Sequence, residues 1–264
     1  MKKSASNLRK SAAIFSGVTA VAFDGYGTIF DFQEPDFLVT MAEIAGQQGL
    51  AADADEMWKR FLAASKKLRV EHHIDPVYTR YHDAWRLQFE VVFRQMKLDG
   101  DARAAADHFW RRLADAPAFD EVGPVIETLS SRYRIALLSN ADDDFLSACL
   151  RRNNLSFDVI VTSESAKAIK PNRAIFDKLA GVLQRPPEQI LYAGDNPIPD
   201  VLGPVRAGML AAWVNRGGYR KPRNVPQPHV RVKSLTELVS VLIPTLEAGA
   251  FKPRLQRPSH KTPD

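Results

Sequence analysis

Thr19-Ala20-Val21-Ala22-Phe23-Asp24-Gly25-Tyr26-Gly27-Thr28 is the stretch on which the reading of this chain turns. Residues 19–24 form an apolar, β-type run that delivers one carboxylate, Asp24, to the end of a buried strand. Gly25 and Gly27 then let the backbone swing away sharply. Turns at strand ends in α/β sheets are where ligands bind, and a carboxylate placed there can act as a covalent nucleophile. Alone, the same ten residues equally describe a strand, a turn and a solvated aspartate, so the rest of the chain has to decide.

Downstream, the hydrophobic period changes. From about residue 32 to residue 118 apolar positions recur every three to four residues, as in residues 56–62, 81–89 and 101–115, and no strand pattern interrupts them. This block reads as a helical insert, with Trp58, Trp85 and Trp110 as its core residues and the pair His72-His73 facing solvent. Beyond it, helices and short apolar strands alternate: helix 121–131, strand 133–138, helix 142–153, strand 157–161, helix 173–183, strand 190–193, helix 200–207, strand 210–214 and helix 235–246. That alternation predicts an α/β fold, a parallel Rossmann-like sheet with helices on both faces, built from residues 19–31 and 119–247 around the inserted helices.

A chain of 264 residues with 45% hydrophobic and 25% charged residues is long enough to bury a sizeable core. Its net charge of +5 is a property of its ends. Lys2, Lys3, Arg9 and Lys10 stand unopposed in residues 1–18, and Lys252, Arg254, Arg257 and Lys261 face only Asp264 in the last thirteen positions. The excess is therefore no sign of a nucleic-acid face. Residues 1–18 read as a disordered leader and 248–264 as a disordered basic tail. No run of about 18 apolar residues predicts a membrane span. The single cysteine, Cys149, excludes an internal disulfide and a cysteine-based zinc site, and a reducing, cytoplasmic setting is expected.

The residues just past each strand form a coherent set. Asp24 ends the first, Ser139-Asn140 the second, and Lys170 comes shortly after the third. Gly194-Asp195-Asn196 and then Asp200 come after the fourth. Singly, these are ordinary caps and loop residues: Ser139 or Asn140 could N-cap the next helix, and Asp195 and Asp200 could sit in turns. Together they bring a nucleophilic carboxylate, a hydroxyl, an amine and two more carboxylates to one rim. Asp24 and Asp195 are hard oxygen donors suited to Mg²⁺. Ser139 could hold an anionic oxygen, and Lys170 could neutralise developing charge. Phosphoryl transfer needs little more.

In these residues the chain resembles the haloacid dehalogenase superfamily. Asp24-Gly25-Tyr26-Gly27-Thr28 matches its first motif, Ser139 the second, Lys170 in Ile169-Lys170-Pro171-Asn172-Arg173 the third, and Gly194-Asp195-Asn196-Pro197-Ile198-Pro199-Asp200 the fourth, in order over residues 19–247. The helical block resembles the family's C1-type cap. The resemblance implies that Asp24 is the nucleophile and that Asp24, the Tyr26 carbonyl and Asp195, supported by Asp200, hold Mg²⁺. It also implies that Tyr26 and Lys170 are catalytic, that Thr28, Ser139, Asn140 and Lys170 contact a small anionic substrate, and that cap side chains select it. A homodimer is compatible with an exposed cap; no nucleic-acid or membrane partner is expected.

One position departs from the family's phosphatases. Two residues past the nucleophile they carry a second aspartate, the general acid/base, where this chain has Tyr26. Tyrosine there, and Asn140 after Ser139, are similar to the 2-haloacid dehalogenases, which displace halide without a metal. Gly194-Asp195 is similar to the metal-binding phosphatases instead. Three expectations stand: foremost Mg²⁺-dependent hydrolysis of a small phosphate ester, then 2-haloacid dehalogenation, then a non-catalytic binding protein on the same fold.

Overall fold

The computed structural model describes residues 14–71 and 78–243, with side chains at 68–71 excepted. The expected solvent-facing pair His72-His73 and the basic tail at 248–264 lie outside the described residues, as do residues 1–13 of the expected leader. The leader reading fails for residues 14–18. Phe15 and Val18 are buried in the main hydrophobic cluster, because their apolar side chains pack on the core rather than staying in water.

Six parallel strands form one sheet in the order β3-β2-β1-β4-β5-β6: β1 (Ala20–Phe23), β2 (Arg134–Ser139), β3 (Val159–Thr162), β4 (Ile190–Gly194), β5 (Leu210–Val214) and β6 (Val230–Val232). This is an α/β, Rossmann-like core. β1 lies at its centre and is fully buried on both faces, which explains its unbroken apolar run. Val21 and Phe23 point into one cluster and Ala20 and Ala22 into the other, the two-residue alternation of a strand. The chain builds β2 and β3 on one side of β1, then β4 to β6 on the other. The gap between the two directions of winding opens beyond the carboxyl ends of β1 and β4, where such sheets bind ligands. Register sets the depth of the gap, since Phe23 pairs with Leu137 on one side and Ala193 on the other, so Asp24, Ser139 and Gly194-Asp195 emerge at nearly one level.

Between β1 and the remaining strands lie α1 (Glu34–Gln47), α2 (Ala54–Glu71), α3 (Tyr81–Met96) and α4 (Ala102–Ala114). Each carries an apolar stripe, and aromatic pairs join them: Phe37 stacks on Trp58 at 4.6 Å, Phe61 tilts against Phe89 at 4.9 Å and Trp85 meets Phe109 edge-on at 4.9 Å. Trp85 also lies 5.4 Å from Phe145 of the sheet layer, so one hydrophobic cluster runs from the helical block into the core. Trp58 and Trp85 are buried there as expected, whereas Trp110 is half-buried and donates its indole N–H to Asp144.

The other helices are α5 (Val122–Ser130), α6 (Asp143–Arg152), α7 (Ser163–Ala166), α8 (Arg173–Leu183), α9 (Gly203–Arg206) and α10 (Leu235–Leu242). Several elements differ from the sequence reading. The helix expected at 200–207 is a π turn over Ile198–Leu202 followed by the single turn α9, with prolines at 199 and 204 breaking regular hydrogen bonding. β6 has no counterpart in the sequence reading, because three residues after Pro226-Gln227-Pro228 give too little period to read. The expected strand at 157 begins two residues later, where Asp158 turns its carboxylate back to accept the Ile135 N–H. No described helix is long and apolar enough to cross a membrane.

Candidate active site

Asp24 leaves β1 with its N–H donated to the Ala193 carbonyl, and the turn after it closes on Gly25, whose carbonyl accepts from Ile29 at 2.7 Å and Phe30 at 2.9 Å. Gly25 has to be glycine on packing grounds: a Cβ there would lie 2.8 Å from Ser139 Oγ. Gly194 plays the same part for Asp200, whose Cγ would be 2.4 Å from an added Cβ. The turn residues thus let the site's side chains approach the backbone.

At the centre is the Lys170 ammonium, almost wholly buried. It lies 2.5 Å from Asp24 Oδ1 and 2.7 Å from Asp200 Oδ1, and donates to the Tyr192 hydroxyl at 2.8 Å. Burial opposes its charge, but Asp200 and Asp24 outweigh that and hold its pKa well above the usual lysine value. Its loop is fixed from outside. Asn140 Oδ1 accepts the Lys170 N–H at 2.8 Å, and Asn140 Nδ2 donates to the Lys170 carbonyl at 3.3 Å.

Asp24, Asp195 and Asp200 bring carboxylate oxygens within 4.8 Å of one another. One ammonium cannot balance three carboxylates. Burial and then the charges of Asp24 and Asp200 push the Asp195 carboxyl up to about 8. Burial raises Asp200 to about 6, with Lys170 pulling the other way. The donor set, hard oxygens with an excess of negative charge in a closed place, fits a divalent cation such as Mg²⁺. Asp200 already accepts from Lys170 on Oδ1 and from the Asn196 N–H on Oδ2 at 3.0 Å, which makes it the supporting member.

Ser139 is buried at the end of β2, and among the described residues nothing bonds its hydroxyl. It does not cap the following helix; the N-cap of α6 is Asp142. Three other expected residues have their polar groups turned elsewhere. The Tyr26 hydroxyl donates to the Leu113 carbonyl of α4 at 3.0 Å, and its ring sits 5.3 Å from Phe30 and 6.0 Å from Phe145. Thr28 is fully buried and donates to Asp195 Oδ1 at 3.4 Å. Asn140 is occupied with the Lys170 backbone. In this structure the Tyr26 hydroxyl is held among apolar neighbours, and that of Thr28 is buried against Asp195.

Two residues of the site escape sequence reasoning. Tyr192 lies inside β4, where its hydroxyl accepts from Lys170 and donates to the Leu138 carbonyl at 3.0 Å, tying the lysine to β2. Its only signal is a tyrosine in an otherwise aliphatic strand. Arg216 comes just after β5, stacks 3.8 Å over the Phe119 ring, pairs with Glu121 at 2.6 Å and donates to the Thr28 carbonyl at 3.1 Å. Its signal is the same as for the other rim residues, a polar group just past a strand end.

A strand-end carboxylate, a buried lysine and a carboxylate cluster at the switch point of a parallel sheet form one site where such sheets bind ligands. The chain belongs to the haloacid dehalogenase-like hydrolases, matching that family over residues 18–208. It is 27% identical over 205 residues to haloacetate dehalogenase H-2 of Moraxella sp. (strain B), covering 76% of this chain and 88% of that one. It is 28% identical over 177 residues to N-acylneuraminate-9-phosphatase of Mus musculus, covering 63% and 71%. The fold is shared with the hydrolase YfnB of Bacillus subtilis, solved bound to magnesium, at a TM-score of 0.71 and 20% identity over 86% of this chain and 99% of that one.

Proposed function

We propose that the protein is a Mg²⁺-dependent phosphatase acting on a small phosphate ester, with Asp24 as covalent nucleophile. The observation that carries this is the surplus of carboxylate over ammonium around Asp24, Asp195 and Asp200. A substrate with its own negative charge would be repelled unless a cation lay between. Asp24, Asp195 and the Tyr26 carbonyl would hold Mg²⁺, with Asp200 behind them. When bound, the ion supplies charge neutralisation to the phosphoryl oxygens.

The chemistry is divided among few residues. A carboxylate oxygen of Asp24 attacks phosphorus, and the bond from phosphorus to the alcohol oxygen breaks. Water then attacks phosphorus of the aspartyl phosphate, releasing inorganic phosphate and restoring the carboxylate. Lys170 sits against Asp24 and faces the transferring group, and the unpartnered Ser139 hydroxyl donates to one of its oxygens. No carboxylate stands where the family's phosphatases keep their general acid, and the Tyr26 hydroxyl is bound to Leu113. The alcohol therefore leaves without a proton from that position, which favours substrates with acidic alcohols. A reducing, cytoplasmic setting suits the free buried thiol of Cys149.

A second reading, dehalogenation of a 2-haloacid, is favoured by that same Tyr26 and by the relative named a haloacetate dehalogenase. In it Asp24 displaces halide from carbon and water cleaves the resulting ester. One experiment separates the two. Phosphate release from 4-nitrophenyl phosphate is followed with Mg²⁺ and with EDTA, and chloride release from 2-chloropropionate is followed in parallel, each beside Asp24→Asn. Phosphate release that needs both Mg²⁺ and Asp24 supports the phosphatase. Chloride release indifferent to EDTA supports the dehalogenase.

A further inference from the structure

Beside Asp195 the site opens into a cleft of about 320 Å³. Among the described residues, Gln33, at the border of α1, is the sole lining residue from the helical block; the others belong to the end of β5 and to the sheet's own loops, chiefly the segment after β5. That segment is held at several points. Asn215, only 2% exposed, accepts the Tyr219 N–H at 2.8 Å and donates to the Tyr219 carbonyl at 2.8 Å. Arg231 donates to the same carbonyl at 3.2 Å while its guanidinium lies 4.8 Å over the Trp213 ring. Gly217 gives the Tyr219 ring its seat, since a Cβ there would meet the ring at 2.4 Å. Yet Tyr219 is 71% exposed. A large aromatic has its backbone clamped by two side chains and its ring left in water at the rim of the site.

The charges of the cleft are equally ordered. Asp195 forms part of the carboxylate cluster, and Arg216 is paired with Glu121. Arg220, next to Tyr219 and also on the cleft wall, makes no ion pair among the described residues. The wall thus offers one flat apolar plate and one uncommitted guanidinium, a fork that matches a carboxylate in shape and in single charge.

Building on the phosphatase reading, we propose that this cleft is the leaving-group subsite and that it selects phosphate esters whose alcohol portion carries a carboxylate, paired with Arg220 while the carbon skeleton lies on Tyr219. Selection then rests with a core loop, in contrast to the sequence expectation that cap side chains choose the substrate.

The test compares phenyl phosphate with 4-carboxyphenyl phosphate in the presence of Mg²⁺, and phenylphosphonate with 4-carboxyphenylphosphonate as uncleaved ligands measured by calorimetry, in wild type and Arg220→Gln. The side chain is exposed, so the variant keeps its fold, and circular dichroism checks this. Expected is a preference for the carboxylated member in both kcat/KM and affinity that falls about tenfold in Arg220→Gln; taking the ratio between variants removes the difference in leaving-group acidity. Tyr219→Ala raises KM for both esters and leaves their ratio in place. A ratio that stays within twofold of wild type in Arg220→Gln, in turnover and binding alike, overturns the subsite. Inert esters beside phosphonates that still discriminate through Arg220 overturn the phosphatase reading while the subsite stands.

Discussion

A Cβ on Gly27 would lie 2.6 Å from Asp195 Oδ2, so the turn after Asp24 and the loop after β4 are in contact only because residue 27 has no side chain. Gly27 also sits at φ 86°, a conformation that costs other residues about 1–2 kcal/mol. Gly27→Ala is therefore expected to destabilise the fold by about 1–3 kcal/mol and to displace the Asp195 carboxylate. On the proposed phosphatase reading, the Mg²⁺ concentration needed for half-maximal turnover should rise about tenfold, and a magnesium titration of the variant checks it.

Among the described residues, Lys170 is the one cation that reaches into the cluster of Asp24, Asp195 and Asp200. Lys170→Met leaves buried carboxylates without it and should cost about 3–5 kcal/mol at neutral pH. Turnover should fall by about a thousandfold or more. Because protonation relieves carboxylate repulsion, the stability deficit should shrink as pH is lowered. Urea unfolding of wild type and variant at pH 7.5 and pH 5 measures this; a deficit that grows in acid would argue against the charge account.

The Tyr26 hydroxyl is bound to Leu113, so no proton donor stands at its position in the site. Across a series of phosphate esters, kcat/KM should fall steeply as the alcohol becomes less acidic, by about 10²–10⁴ from 4-nitrophenyl to simple alkyl phosphates. Tyr26→Phe should lower stability by about 1–3 kcal/mol through the orphaned carbonyl without altering that slope. A slope that steepens in Tyr26→Phe would restore the tyrosine as the acid.

Asp142, wholly buried, accepts the Tyr81 and His82 N–H groups at 2.8 and 3.0 Å and the Tyr78 hydroxyl at 2.8 Å. The N-cap residue of α3, Arg80, has no capping side-chain bond of its own, so the core supplies the cap. Asp142→Ala should destabilise by about 1–3 kcal/mol, with amide exchange rising first in the opening turn of α3. Uniform exchange throughout the chain would show that the contact is not local.

The His229 ring accepts the Ala211 N–H on Nδ1 at 3.0 Å, which requires the neutral imidazole, and burial lowers its pKa. With the folded value below the unfolded one, its contribution is fully present above about pH 6.5 and is lost as pH falls through the folded value. Wild type should lose more stability between pH 8 and pH 5 than His229→Gln, read by thermal unfolding at each pH.

The order of residues along the chain suffices for the α/β architecture, five of the six strands and the identity of the residues at the rim. Each of those strands is short and apolar with its chemistry just past its end, and that order is local information. β6 escapes because three residues carry no period, and the turn at 198–202 because its proline and the one after it override helical spacing. Direction and partnership come from the folded molecule alone. Asp24, Lys170 and Asp200 are brought within hydrogen-bond reach by strand order and register, and the same register puts Tyr192 beside the lysine. Tyr26 and Thr28 occupy the positions the motif reserves for them, and packing against Phe30 and Phe145 together with bonding to Leu113 and Asp195 sets where their hydroxyls point. Residue identity is fixed along the chain, but where a side chain points depends on neighbours tens to more than a hundred positions away, and no spacing rule carries that.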